Sequence, residues 1–332
     1  MNSDMHKDRP ALIDEFLDTH GWGDAARATL AGDASFRHYD RLVRGDERAV
    51  LMDAPPPDED VRPFVAIARY LSEQGFSAPD IIATDEDAGL LLLEDLGDDT
   101  YTRMLATDGD EAALYALAVD VLISLHKCST RPEGLLPYGN GRLLDEAFLA
   151  PVWLFDDIPL SEPVRREYGD AWLELFPHVH ATPKVLVLRD YHVDNLIWLA
   201  GRNETKACGL LDFQDAVLGS VAYDLMSLLQ DARRDIDPDL KAAMIERYTA
   251  AFPDLDRDAF DLAFTVLAAQ RHAKVIGIFT RLDKRDGKPD YLAHLPRVWR
   301  LLEAALEHPR LSRLKSWFDE HMPPRIRGEV RK

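Results

Sequence analysis

The stretch VLVLRDYHVDNLIWLA (185–200) constrains this chain more than any other part of it. An apolar strand runs into a polar loop, and a second apolar strand leaves it. A third segment, CGLLDF (208–213), again carries an acid at the end of an apolar run. Three short strands of this kind form a small β insert. The sequence on both sides reads as helix, over 110–127, 142–155 and 161–176 before it. After it come helical segments at 221–234, 237–252, 256–281, 290–307 and 310–321, with a loop at 285–289.

The N-terminal part has a different character. Residues 11–20 predict a short helix. ASFRHYDRLVR (34–44) and RAVLMDA (48–54) predict two strands, turned at Gly45 and Asp46. Beyond the Pro55, Pro56, Pro57 break, Phe64, Ile67, Ala68 and Leu71 fall at helical spacing, and Gln74-Gly75 ends that helix. IIATDEDAGLLLLED (81–95) predicts a strand, a turn over 85–89 and a second strand, with Gly97 as a hinge. The expected fold is α+β in two lobes. Residues 1–97 form a small antiparallel sheet carrying one helix, and residues 98–332 a larger, mainly helical lobe with the β insert.

Composition narrows the function classes. The 332 residues are 46% hydrophobic and 30% charged, an ordinary balance for a packed core. A formal net charge of −20 repels nucleic acid and anionic membrane surfaces, so neither is an expected partner. The two cysteines, Cys128 and Cys208, fit no zinc or redox spacing, which suits a reducing compartment. His178 and His180 alternate like metal ligands but have no evident third ligand, and they read as loop residues. The polar start MNSDMHKDRP does not resemble a leader, and the longest purely apolar run, residues 90–93, is too short to cross a bilayer. A soluble cytoplasmic protein is expected.

The chemistry sits in LRDYHVDN (188–195). Asp190 is followed five positions later by Asn195, the spacing of the catalytic loop in kinases. There the Asp accepts a hydroxyl proton and the Asn offers a hard oxygen to Mg²⁺. Asp212 follows Asn195 by 17 positions, at a strand end, where a second magnesium-binding Asp belongs. Turn chemistry also favours Asp at such strand ends.

LRDYHVDNLIWL (188–199) and GLLDFQDAVLGSVAYDL (209–225) resemble the two signature blocks of aminoglycoside-phosphotransferase-like kinases. GDASFRHYDRL (32–42), VLMDAPPP (50–57), RPFVAIARYL (62–71), LLLLEDLGDDTY (90–101) and QRHAKVIGIFTRLDKRDGKPDYLAHLPR (270–297) resemble one branch of that family. It is the N-acetylmuramate/N-acetylglucosamine anomeric kinases of bacterial cell-wall recycling. The resemblance runs from about residue 10 to 307 and is weakest over 130–180. It implies a protein-kinase-like fold with residues 1–97 as nucleotide-binding lobe and 98–332 as catalytic and substrate-binding lobe, ATP and Mg²⁺ as cofactors, and a small amino-sugar substrate phosphorylated at its anomeric hydroxyl. It implies Asp190 as catalytic base, Asn195 and Asp212 as metal ligands, and Asp224 as a buried support of the catalytic loop. Adenine is expected near the backbone of Glu94 and Leu96.

Two departures concern the phosphates. The glycine-rich loop is replaced by Gly32-Asp33-Ala34-Ser35-Phe36, where backbone N–H groups of Ala34, Ser35 and Phe36 could still hold them. The strand lysine is missing and its place falls near Met52; Arg37 is the candidate replacement, since a guanidinium grips phosphate bidentately. For the sugar, the candidates are His192, Asp215, Arg271, His272 and Arg281. An Arg would distinguish a muramate carboxylate, and Arg271 and Arg281, ten positions apart, share roughly one helix face. Gly277 between them signals close packing or ligand approach. Two other readings stand beside this one: an aminoglycoside kinase, and a nucleotide-binding pseudokinase that scaffolds a partner.

Overall fold

The computed structural model describes residues 9–30, 37–107, 109–155, 159–323 and 327. The chain forms two compact units. The first comprises Met1–Gly109, Cys128–Glu133 and Asp194–Asp215; the second comprises Asp110–Lys127, Gly134–Val193 and Ala216–Lys332. Asn195 and Asp212 therefore belong to the first unit, and Asp190 to the second.

The first unit is built on a five-stranded antiparallel sheet. Its strands are β1 (Ala26–Thr29), β2 (His38–Arg44), β3 (Glu47–Asp53), β4 (Ile81–Asp85) and β5 (Leu90–Glu94), in the order β1-β2-β3-β5-β4. The turn at Gly45 closes the β2–β3 hairpin opposite Arg44 and Glu47, and its φ of 60° is a conformation glycine adopts without strain. Leu90, Leu91, Leu92 and Leu93 are all buried, because both faces of β5 are covered. On one face, Leu42, Leu51, Leu90 and Leu92 meet Ile13, Phe16 and Leu17 of α1 (Arg9–Thr19). Side chains one position along a strand point the other way. Met52 and its ladder partner Leu91 thus lie on the opposite face. Helix α2 (Arg62–Glu73) buries Phe64, Ile67, Ala68 and Leu71, and Phe64 stacks on Phe213 with ring centres 4.9 Å apart. Helix α3 (Tyr101–Ala106) and a two-stranded ladder of Leu196–Trp198 with Cys208–Leu210 complete the unit.

The second unit is mainly helical. Its helices are α4 (Glu111–His126), α5 (Asn140–Ala147), α6 (Leu149–Leu154), α7 (Glu162–His180), α8 (Tyr223–Leu229), α9 (Pro238–Ala250), α10 (Arg257–Lys284), α11 (Leu295–Leu306) and α12 (Ser312–His321). Asp110, Asp237 and Asp256 cap α4, α9 and α10 with side-chain bonds to backbone N–H groups. Helix α10 is the axis of the unit, packed by α5, α6, α7, α8 and α11. It is long and apolar enough to cross a membrane, yet 83% of its most apolar window is buried inside the protein, as befits a core helix. A Cβ on Gly277 would stand 2.2 Å from the backbone carbon of Leu149, so glycine there lets α6 touch α10.

The expected insert consists of two separate ladders. Lys184–Val187 pairs with Val217–Ser220, a strand the sequence reading left out, and Leu196–Trp198 pairs with Cys208–Leu210. The helix expected over 142–155 is two helices, α5 and α6, which meet at Phe148.

Candidate active site

The loop bearing Asp190 is fixed by its own backbone. Lys184–Val187 delivers the chain to Leu188, and the buried Asp224 accepts N–H bonds from Leu188 at 2.7 Å and Arg189 at 2.9 Å. Asp224 lies in the first turn of α8, but its side chain serves this loop and does not cap its own helix. Arg189 has φ 73°, a region that a bulky residue enters only when its surroundings force it. Here they do. Its N–H is held by Asp224, its carbonyl accepts from Arg271 at 3.0 Å, and its guanidinium pairs with Glu146. The consequence is that Asp190 leaves the strand end at an angle set by three partners.

Charge in this loop is densely compensated. Arg271 donates to Asp190 at 3.3 Å and to the Tyr223 hydroxyl at 3.2 Å. Glu146 accepts from Arg189 and Tyr138, and Lys274 lies 3.5 Å from it. Burial works against ionised Asp190, but the positive charges of Arg271, Lys274 and Arg189 outweigh it and hold the carboxyl well below the usual carboxylate range. His192 is pushed down to about 4 by burial and then by Arg233, so its ring is neutral near pH 7. Burial pushes Asp224 up to about 7 against its two N–H bonds.

Asp190, His192 and Arg271 line one cavity of about 110 Å³ in the second unit, closed by Gln230, Asp231, Arg233 and His272. His272 is buried and shares a 2.9 Å hydrogen bond with Gln230. Arg281 is half-buried further along α10 and is not among the residues lining this cavity. Ten residues at 100° each leave it about 80° round the helix from Arg271.

The first unit holds the two candidate metal ligands. Asn195 donates through Nδ2 to Asp212 at 3.2 Å, and Gln214 donates to the other Asp212 oxygen at 2.6 Å. Asp212 has φ 56° and, like Arg189, is a non-glycine residue held in the left-handed region. The Leu211 N–H bonds the Asn195 carbonyl at 3.0 Å, tying the two loops together. Asp215 is exposed. No group of three or more His, Cys, Asp or Glu poised to hold a metal occurs among the described residues. His178 and His180, expected in a loop, lie in the last turn of α7, and His180 bonds Asn140 at 2.6 Å.

Of the expected nucleotide contacts, Ala34, Ser35 and Phe36 lie outside the described residues. Arg37 pairs with Glu59 at 3.4 Å. Glu94, at the end of β5, pairs with Arg202, and Leu96 packs beside Gly209.

A model of the phosphotransferase enzyme family matches residues 27–261. The chain belongs to that family. This phosphotransferase is 39% identical to the N-acetylmuramate/N-acetylglucosamine kinase of Caulobacter vibrioides, over 97% of this chain and 99% of that one. It is also 39% identical to the kinase of the same name from Pseudomonas aeruginosa, over 92% of each chain. Among solved structures, a choline/ethanolamine kinase family protein from Mesorhizobium loti superposes with a TM-score of 0.64 at 14% identity, covering 93% of this chain and 98% of that one. The aminoglycoside phosphotransferase APH(2'')-Ib superposes with a TM-score of 0.59 at 16% identity, covering 89% and 98%. The fold is therefore the α+β, protein-kinase-like one that the sequence indicated.

Glu146, Lys274, Tyr138 and Tyr223 escaped the sequence reading. One signal for part of the group was present. Gln270, Arg271, His272 and Lys274 put four polar residues together in a long helix with an apolar stretch, and all four are buried.

Proposed function

We propose that this phosphotransferase transfers the γ-phosphoryl group of ATP, with Mg²⁺, to the anomeric hydroxyl of N-acetylmuramate and N-acetylglucosamine. The observation that carries this reading is the 39% identity, over nearly the whole of both chains, to a kinase named for those two sugars. The first unit is assigned the nucleotide and the second the sugar, because the cavity beside Asp190 lies wholly within the second.

Asn195 and Asp212 fit Mg²⁺ by the chemistry of their donors. Mg²⁺ takes one or two protein oxygens and completes its shell with water and phosphate, so a pair of hard oxygens suffices. When bound, it neutralises charge on the phosphate oxygens. Asp190 orients the sugar hydroxyl and takes its proton as the new O–P bond forms and the bond from the γ-phosphorus to the ADP oxygen breaks. The neighbouring cations keep Asp190 ionised at neutral pH, and a base so weak accepts the proton late in a loose transition state. Arg271 holds the carboxylate while it does so. The two cysteines are free thiols, in keeping with a reducing cytoplasm.

The test is incubation with ATP, Mg²⁺ and a panel of N-acetylmuramate, N-acetylglucosamine, kanamycin and choline, read by mass and ³¹P NMR. A sugar 1-phosphate from either amino sugar supports the reading. Turnover of kanamycin or choline alone overturns it.

A further inference from the structure

Two arginines hold Asp190, Arg189 as its chain neighbour and Arg271 by the 3.3 Å bond to its carboxylate. Both are buried, and each guanidinium lies against the ring of one tyrosine. The central carbon of the Arg271 guanidinium is 5.7 Å from the centre of the Tyr223 ring, and that of Arg189 is 5.6 Å from the centre of the Tyr138 ring. The two buried rings meet edge to face, with centres 5.2 Å apart.

The hydroxyls join what the rings carry. The Tyr138 hydroxyl lies within bonding distance of two oxygens, one of the Glu146 carboxylate and that of Tyr223 at 3.3 Å, but it has a single hydrogen to give. Glu146 is ionised. Burial pushes its carboxyl up, but Lys274 and Arg189, with the bonds from Tyr138 and Gln270, bring it below the ordinary value. Burial pushes the Tyr138 phenol up as well, so the phenol stays neutral. An ionised carboxylate only accepts, so Tyr138 donates to Glu146 and accepts from Tyr223. A guanidinium only donates, so Tyr223 accepts from Arg271 at 3.2 Å and donates onward to Tyr138. The bonds therefore run in one direction, from Arg271 through Tyr223 and Tyr138 to Glu146. Arg189 closes the circuit by donating to the other Glu146 oxygen. The circuit begins at the Asp190 carboxylate and ends at the residue preceding it in the chain.

We propose that Tyr138 and Tyr223 are positioning residues for Asp190: their hydroxyls tie the Arg271 grip on its carboxylate and the Arg189 grip on its backbone to one anchor, Glu146, so that the base keeps a single orientation. This rests on the reading of Asp190 as the base of a sugar kinase. Neither tyrosine lines the cavity beside Asp190, so their effect belongs in turnover and not in the binding of sugar or ATP.

The experiment compares Tyr223→Phe, Tyr138→Phe and the double variant with wild type, as full-length proteins. It measures kcat and the KM values for N-acetylmuramate and ATP. Each substitution removes one oxygen and keeps the ring. Tm and the ATP-binding stoichiometry by calorimetry report how much folded protein each kcat refers to. Each single variant is expected to lower kcat about tenfold, the loss of one charge-assisted bond, with both KM values within about threefold of wild type. The double variant should lose no more than about twofold beyond the weaker single variant, because one break already opens the circuit. Both single variants turning over within about twofold of wild type overturns the proposal. So do losses that multiply in the double variant, which would make the two hydroxyls independent. A fall in kcat matched by a fall in ATP-binding stoichiometry overturns it too, since the tyrosines then serve only the fold. So does a raised sugar KM at unchanged kcat, which would place them in binding. The underlying reading fails separately: wild-type protein inert on both amino sugars, or Asp190→Ala turning over near the wild-type rate, removes the base and this proposal with it.

Discussion

The loop that carries Asp190 and the strand that carries Met52 treat buried charge in opposite ways. Around Asp190, Glu146, Arg189, Asp224, Arg271 and Lys274 are all at least nine-tenths buried, and each is held by partners of opposite charge or by backbone. On β3, kinases usually place a lysine for the nucleotide phosphates. The sequence puts that place near Met52, an apolar side chain, 1% exposed, facing Leu91 across the ladder. Burying charge is expensive unless geometry returns the cost. The difference shows where buried charge is concentrated in this protein: around Asp190, the proposed base, and not beside Met52 in the middle of the sheet.

The largest effect should come from Asp190, the proposed base. Asp190→Ala is expected to lower kcat by about 10³-fold or more, while ATP affinity by calorimetry changes little. Residual turnover within tenfold of wild type would remove Asp190 from the mechanism and break the contrast at its strongest point.

The support behind the base comes next. Glu146→Gln leaves Arg189 and Lys274 without their shared carboxylate. Removing one member of a buried charge set costs about 3–5 kcal/mol, so Tm should fall by several degrees and kcat with it. A variant as stable as wild type would mean that these charges are compensated without Glu146.

Asp224 and Asp190 give the loop a pH signature with two opposing slopes. Burial raises Asp224 from 3.8 to about 7, so the native state keeps a proton that the unfolded chain has already lost. Stability from this group therefore falls as pH rises from about 4 to about 7 and is level above that. Asp190 is depressed, so its contribution is present above the ordinary carboxylate value and is lost as pH drops below it. Asp224→Asn removes the first slope only. Its Tm relative to wild type should climb between pH 4 and pH 7; a constant difference across that range would show that Asp224 is ionised throughout.

Legibility followed the same division. Asp190, Asn195 and Asp212 stood out as candidates in the sequence because apolar strands bracket them at a recognisable spacing. The five-stranded sheet was readable where apolar runs end in glycine or proline turns, as at Gly45 and Gly89. Strand β1 was not, since Ala26–Thr29 is exposed along its whole length and shows no alternation. Val217–Ser220 was missed because a four-residue strand beside a helix start has too few positions to display a period. Glu146 could not be found at all. Its importance lies in contacts to residues 43 and 128 positions away, which nothing in its local pattern announces.

The smallest effect tests the apolar side of the contrast. If β3 does not grip the phosphates, a cation elsewhere in the first unit must, and Arg37 is the candidate. It sits just before β2, its side chain 12% exposed and 3.4 Å from Glu59. An aspartate or glutamate beside an arginine fixes its direction without consuming all five donors. Arg37→Ala should raise the KM for ATP about tenfold, the loss of one charge-assisted contact, and leave kcat within a factor of about three. Glu59→Gln should do the same more weakly, because it loosens the guanidinium without removing it. If Arg37→Ala lowers kcat and leaves KM unchanged, the residue contributes only in the transition state. Its role would then resemble that of the charges around Asp190, and the division between an apolar sheet and a charged base loop would no longer hold.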